Sequence, residues 1–151
     1  MKLKFCSLYS GSSGNCQYIK TENATIIVDA GLSGKRIQQE ISNIGEDPKK
    51  IDAIFITHEH IDHIQGAGIM SRRLNIPIYA NEKTWEAMNP YIGDIKPHNI
   101  KLLEDSTQIG DLAIKSFDIS HDSAHPVGYN IFYRNKKISI VTDTGCVNET
   151  I

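Results

Sequence analysis

The sequence predicts a mixed fold, of α/β class with α+β character, and three observations carry that prediction. Between Ala24 and Ile56 a strand, a helix and a second strand follow one another, the pattern of a right-handed crossover unit. From about Asn99 onward the chain turns mostly to short strands separated by turn residues. At 151 residues, 40% hydrophobic and 23% charged, it has the size and composition of a single domain over residues 1–151 that buries a core.

The elements follow in order. Lys2–Leu8 alternates enough to open as a strand. Ser10-Gly11-Ser12-Ser13-Gly14-Asn15 is a glycine- and serine-rich loop with two readings. It is a tight connection with positive-φ glycines, or its amides and hydroxyls meet an anionic substrate. A Walker loop is excluded, because the Gly-Lys-Ser/Thr ending is missing. Cys16–Lys20 and Ala24–Asp29 read as a hairpin across Thr21-Glu22-Asn23. Ser33 is placed to cap a helix carrying Ile37, Ile41 and Ile44, which Gly45 ends and Asp47-Pro48 stops from continuing.

Ala53–Ile56 is a short apolar run that reads as a buried strand. The segment from Ile64 to Leu74 is helical, with Gly66 and Gly68 pointing to close packing. Pro77–Ala80 returns as a strand, and Asn81 caps a short helix that is expected to run through Met88 and close at Asn89-Pro90. Trp85 on that helix is expected to be buried. Tyr91–Pro97 reads as a loop, and His98 as a surface histidine. Strands are then expected at Asn99–Leu103, Leu112–Ile119, Val127–Arg134 and Lys137–Thr142, with Gly110-Asp111 and Asn135-Lys136 as turns. In the third, Val127, Tyr129, Ile131 and Tyr133 alternate with more polar neighbours, as in a half-buried antiparallel strand.

A formal net charge of -2 announces neither a basic nucleic-acid surface nor an acidic solvating tail. Cys6, Cys16 and Cys146 are odd in number and lack zinc-type spacing, which reads as reduced thiols in a cytosolic protein. No apolar run is long enough for a membrane span and no signal-peptide pattern follows Met1, so no membrane partner and a cytoplasmic location are expected.

Chemistry concentrates in Thr57-His58-Glu59-His60-Ile61-Asp62-His63, directly after the Ala53–Ile56 run. On an extended stretch residues two apart share a face, so His58 and His60 can turn imidazoles to one ion. A following helix would carry Asp62 and His63 towards a second. Neutral imidazoles and a carboxylate on rigid backbone suit a borderline divalent metal such as zinc. Asp29, at the end of the preceding strand, is expected to hydrogen-bond this loop and orient its histidines. His121 and Asp143 stand at the ends of two further strands, so metal-type side chains end three separate strands.

These residues resemble the metallo-β-lactamase-fold hydrolases. His58-x-His60-x-Asp62-His63 is similar to the family's central motif, and Asp29, His121 and Asp143 to its flanking ones. The resemblance implies an αββα sandwich and two divalent metal ions, zinc first, with manganese or iron as alternatives. It implies that His58, His60 and His121 hold the first ion, Asp62 and His63 the second, and that Asp143 bridges them, with Asp29 as the structural acid. Ser10–Asn15, Asp29–Lys35, Ile76–Met88 and Ser120-His121-Asp122 resemble the YycJ (WalJ) branch, which is described as a DNA-processing exonuclease or phosphodiesterase.

The implied reaction is hydrolysis of a phosphodiester by a hydroxide that two metals activate, with DNA as partner. Asp62 would orient the nucleophile, and Ser12, Ser13 and Asn15 would position a phosphate. Thioester or other carbonyl hydrolysis stays open, as does an inactive fragment binding at most one metal. The family domain is longer, so the chain is expected to be its N-terminal part, truncated after the fourth motif. The missing C-terminal half would supply the remaining ligand of the second metal, normally a histidine; His125 is expected on the substrate side or the surface. Its absence would leave sheet edges exposed, and self-association is expected there.

Overall fold

A computed structural model describes residues 3–11, 14–119 and 126–141, and the backbone of 146–150. The first sheet contains β1 (Lys4–Tyr9), β2 (Cys16–Lys20), β3 (Thr25–Val28), β4 (Ala53–Phe55), β5 (Ile78–Ala80) and β6 (Ile100–Leu102), in that spatial order. β1, β2 and β3 are antiparallel neighbours, whereas β3 through β6 run parallel. The crossover between β3 and β4 is α1 (Gly34–Asn43), capped by Ser33, whose side chain accepts from the Arg36 amide. The parallel strands TIIV and AIF are buried along their whole length, as strands covered on both faces must be.

The second sheet is antiparallel, with the order β11 (Cys146–Thr150), β10 (Lys136–Val141), β9 (Val127–Tyr133), β8 (Leu112–Asp118), β7 (Thr107–Ile109). Val127, Tyr129, Ile131 and Tyr133 of β9 all turn inward, which matches the period read from the sequence. Two cores result. Ile19, Ile26, Val28, Ala53 and Phe55 of the first sheet pack against Leu112, Ile114, Tyr129, Ile131, Ile138 and Ile140 of the second. The other face of the first sheet, with Tyr18, Ile27, Ile54 and Ile78, meets the helices through Ile37, Ile41, Met70, Trp85 and Met88. Helices, sheet and sheet thus form three layers.

The structure corrects three boundaries. The helix expected over 64–74 is two helices, α2 (Ile61–Ile64) and α3 (Ala67–Leu74), broken at Gln65-Gly66 where the Gly66 amide bonds Ala30 O at 2.7 Å. α4 (Glu82–Ile92) does not close at Asn89-Pro90 but carries Pro90 inside it. Ile92 is buried, and Arg72 Nη1 donates to the carbonyls of Ile92 and Asp94, at 2.7 and 2.9 Å. Tertiary anchoring of the last turn therefore outweighs the amide lost at Pro90. Gly93, at φ +77°, ends the helix in a conformation that favours glycine. The third correction is β7 and β11, two short strands outside the elements expected from periodicity. β7 forms a hairpin with β8 across the Gly110-Asp111 turn.

Candidate metal centre

The site begins where the parallel strands end. Backbone bonds stitch the segments after β3 and β4 together: Asp29 N to Phe55 O at 2.7 Å, Ala30 N to His63 O at 2.8 Å and Gly31 N to Asn15 O at 2.9 Å. Gly31 is needed for this approach, because a Cβ there would stand 1.7 Å from the Asp62 carbonyl oxygen. Asp29 itself sits at φ +65°, in the left-handed region that Asp tolerates better than most residues. That turn aims a buried carboxylate at the histidine loop.

Asp29 accepts from the Thr57 amide and the Thr57 hydroxyl, each at 2.8 Å, and from His63 Nδ1 at 2.6 Å. Donor and acceptor roles follow from these contacts. A carboxylate only accepts, so His63 carries its proton on Nδ1. The Thr57 hydroxyl has a single hydrogen, which goes to Asp29, so at 3.0 Å from His58 Nδ1 it must accept from that ring. Both imidazoles are therefore held in the Nδ1–H tautomer, which puts the ring lone pair on Nε2. Histidines that bind metal are commonly oriented in this way, by a donor bond from the other ring nitrogen.

The rings lie close together. His58 and His63 centroids are 4.0 Å apart, and His58 and His60 are 4.6 Å apart at an interplanar angle of 79°. His63 Nε2 faces Asp62 Oδ2 at 3.6 Å. Burial alone would hold the His63 imidazole below its ordinary pKa, but the charge and hydrogen bond of Asp29, with Asp62 adding, outweigh it and raise the value. His58 and His63 are buried, Asp62 is partly buried and His60 is exposed. The loop is thus anchored at its base and open at its rim.

Among the described residues no three His, Cys, Asp or Glu side chains by themselves form a group able to hold an ion. The expected ligands His121 and Asp143, and the candidate phosphate contacts Ser12 and Ser13, lie outside the described residues, as does His125. Residues that flank two of them are described. Ile119 N bonds Pro126 O at 3.0 Å, and Val127 N bonds Thr57 O at 2.9 Å. Val141 pairs with Cys146, and Ile140 with Tyr129. The end of the second sheet that carries these flanking residues is therefore the end that meets Thr57. Tyr129 also crosses between the sheets, donating its hydroxyl to Ile56 O at 2.6 Å. By donor type, two Nδ1–H imidazoles, a carboxylate and a third histidine at the rim are the kinds of ligand that a borderline divalent ion takes.

The sequence model of the metallo-beta-lactamase superfamily matches residues 9–151. The chain belongs to the metallo-beta-lactamase superfamily. Among curated members it is similar to the exodeoxyribonuclease YycJ of Bacillus anthracis, with 41% identity over 152 residues, covering 99% of this chain and 57% of that protein. It is likewise similar to the exodeoxyribonuclease WalJ of Streptococcus pneumoniae, 42% identical, covering 97% of this chain and 56% of the relative. The chain thus spans a little over half the length of these relatives. Of solved superfamily structures, the metallo-beta-lactamase fold protein YhfI from Bacillus subtilis aligns over 92% of this chain and 62% of its own, with a TM-score of 0.74 at 16% identity. That likeness concerns the fold alone.

Several features of this superfamily site went unread in the sequence. Thr57 joins Asp29, His58 and His63, yet in sequence it is only the residue before the first histidine. The signal was its position where an apolar run meets the motif. Gly31 likewise looked like an ordinary turn residue. Asn15, a candidate to position a phosphate, is buried, with its amide beside Asp62 and His63. Cys16 is buried and Cys6 packs at the edge of the helix-side core. His98 is exposed and bonds Asn75 Oδ1 at 2.9 Å. No helix among the described residues is long and apolar enough to cross a membrane.

Proposed function

We propose that this chain carries the N-terminal share of a dinuclear metal-dependent phosphodiesterase site, and that the whole protein is a DNA exonuclease. The observation that carries this reading is the orientation of His63, with Nδ1 bonded to Asp29 and Nε2 facing the Asp62 carboxylate. The names of the relatives YycJ and WalJ support the substrate class. His58 and His60, with His121, would hold one ion; Asp62 and His63 would hold the other, and Asp143 would serve both. When bound, such ions supply an activated water and neutralise charge on the phosphate.

The chain's own residues contribute positioning. Asp29 and Thr57 fix both ring tautomers before any ion arrives, so binding costs little reorganisation. Ser12 and Ser13 would hold a phosphate oxygen through their hydroxyls. Asp62, partly exposed, stands where a carboxylate can orient an attacking water. Zinc is the first expectation, with manganese or iron serving according to availability. Contacts to DNA phosphates would make affinity fall steeply with salt.

The test is metal content per purified chain, measured together with hydrolysis of a generic phosphodiester. Two ions and turnover that disappears in His58→Ala are expected if the described part of the site suffices. One ion or none, without turnover, would assign the reaction to the longer protein only. Two ions and hydrolysis of a thioester, with no phosphodiester turnover, would overturn the substrate class.

A further inference from the structure

The glycine- and serine-rich loop is tied to the metal motif by one side chain. Asn15 is buried, at 8% exposure, and its backbone carbonyl accepts from the Gly31 amide at 2.9 Å. Its Oδ1 lies 3.4 Å from the Gly11 amide, which donates to it. Its Nδ2 has four acceptors around it: Gly11 O at 3.0 Å, Asp62 O at 3.2 Å, Asp62 Oδ2 at 3.3 Å and His63 Nε2 at 3.2 Å. An amide nitrogen has only two hydrogens, so four acceptors cannot all be satisfied at once. The backbone carbonyls of Gly11 and Asp62 can take both. Asp62 Oδ2 and His63 Nε2, 3.6 Å apart, then keep acceptor lone pairs that the amide hydrogens do not take.

A phosphate contact is a poor use of this side chain. Its donors point inward among acceptors, and an anion there would meet the Asp62 carboxylate. We propose instead that Asn15 is a positioning residue, whose amide bridges Gly11 and Asp62 and sets the Asp62–His63 donor pair for a divalent cation. This rests on the metal reading of Asp62 and His63 given above. The coupling is reciprocal by linkage. If the bridge raises the affinity for the ion, then the ion stabilises the Asn15 bridge by the same factor.

The test uses the 151-residue chain, titrated with Mn²⁺ or Zn²⁺ by calorimetry, with folding checked by thermal denaturation in EDTA. Asn15→Ala is expected to weaken the binding that Asp62→Asn also weakens, by about 10–100-fold, the range for loss of a residue that orients a ligand. The double variant should bind no more weakly than Asp62→Asn alone. Hydrogen exchange at the Gly11 amide, which donates to Asn15 Oδ1, should slow on metal addition in the parent chain and not in Asn15→Ala. Asn15→Ser, which keeps one donor hydrogen, supplies the same comparison if Asn15→Ala does not fold, and an intermediate affinity is expected.

Parent-like metal affinity in the Asn15 variants, while Asp62→Asn binds weakly, would overturn the positioning role. So would exchange at the Gly11 amide that ignores metal in the parent chain. A parent chain that binds neither ion, or an Asp62→Asn variant that binds as the parent does, would instead remove the metal reading and this inference with it.

Discussion

At the scale of single residues, the site depends on groups that themselves need not touch an ion. Asp29 receives three donors, and Thr57 relays its charge to His58. Asp29→Asn keeps the size but turns an NH₂ donor towards donors. We expect a loss of about 1–3 kcal/mol in stability from the unsatisfied buried groups, read by urea denaturation. Metal affinity should also fall by about 10–100-fold, read by calorimetry. Thr57→Val removes only the hydroxyl, and should cost about 1–3 kcal/mol because Asp29 Oδ2 and His58 Nδ1 lose a shared partner. Gly31→Ala is a steric test. Its Cβ would enter the Asp62 carbonyl, and a loss of at least about 3 kcal/mol is expected in the same denaturation assay.

Much of this residue scale was legible beforehand. His58, His60, Asp62 and His63 stand out because the metal role proposed for them needs specific side chains at specific spacings, and Asp29 because an acid ends the strand before them. The structure brings the three rings together and bonds Asp29 to their loop. Thr57 and Gly31 were silent for a physical reason. Their roles come from backbone segments far apart in sequence meeting at one point, and a hydroxyl or a missing Cβ has no pattern of its own. The neighbours of Asn15 were not readable, since composition does not say which way an amide points.

At the scale of elements, local pattern and tertiary contact divided the outcome. α1 was readable in full because Ser33, the three isoleucines and Gly45 agree. The end of α4 was not, because Arg72 belongs to another helix. Charge pairing between elements gives a further prediction. Lys4 and Lys20 are directly opposed on β1 and β2, an unfavourable pairing by itself. Glu46, after α1, bonds both, at 2.7 and 2.5 Å. These hydrogen bonds, from Lys20 and then Lys4, lower its pKa despite some desolvation. A lowered folded-state value means the contribution is complete above the usual carboxylate range and is lost as pH falls through that lower value. The stability difference between the parent and Glu46→Gln should thus be up to about 1 kcal/mol at pH 7 and shrink towards zero in acid. Denaturation curves at a series of pH values measure it.

At the scale of the whole molecule, three layers are described where the superfamily resemblance implied four. Among the described residues the outer face of the second sheet has no helix upon it. β6 ends the first sheet, and its Ile100 and Leu102 are 43% and 53% exposed. An apolar edge strand invites pairing with another chain. Sedimentation velocity should therefore show association that grows with concentration, and Leu102→Lys should reduce it. A chain that stays monomeric at all concentrations would count against that edge as a contact.

The Tyr129 hydroxyl has a consequence of a mechanical kind. It fastens the second sheet to the carbonyl of Ile56, one residue before Thr57 and two before His58. Sliding of the facing sheets would strain this bond and with it the backbone that leads into His58. A substitution deep in the second sheet, remote from every donor atom, would then be transmitted as a change in ligand spacing. Through that one bond the seam between the sheets would act as a lever on the histidine motif.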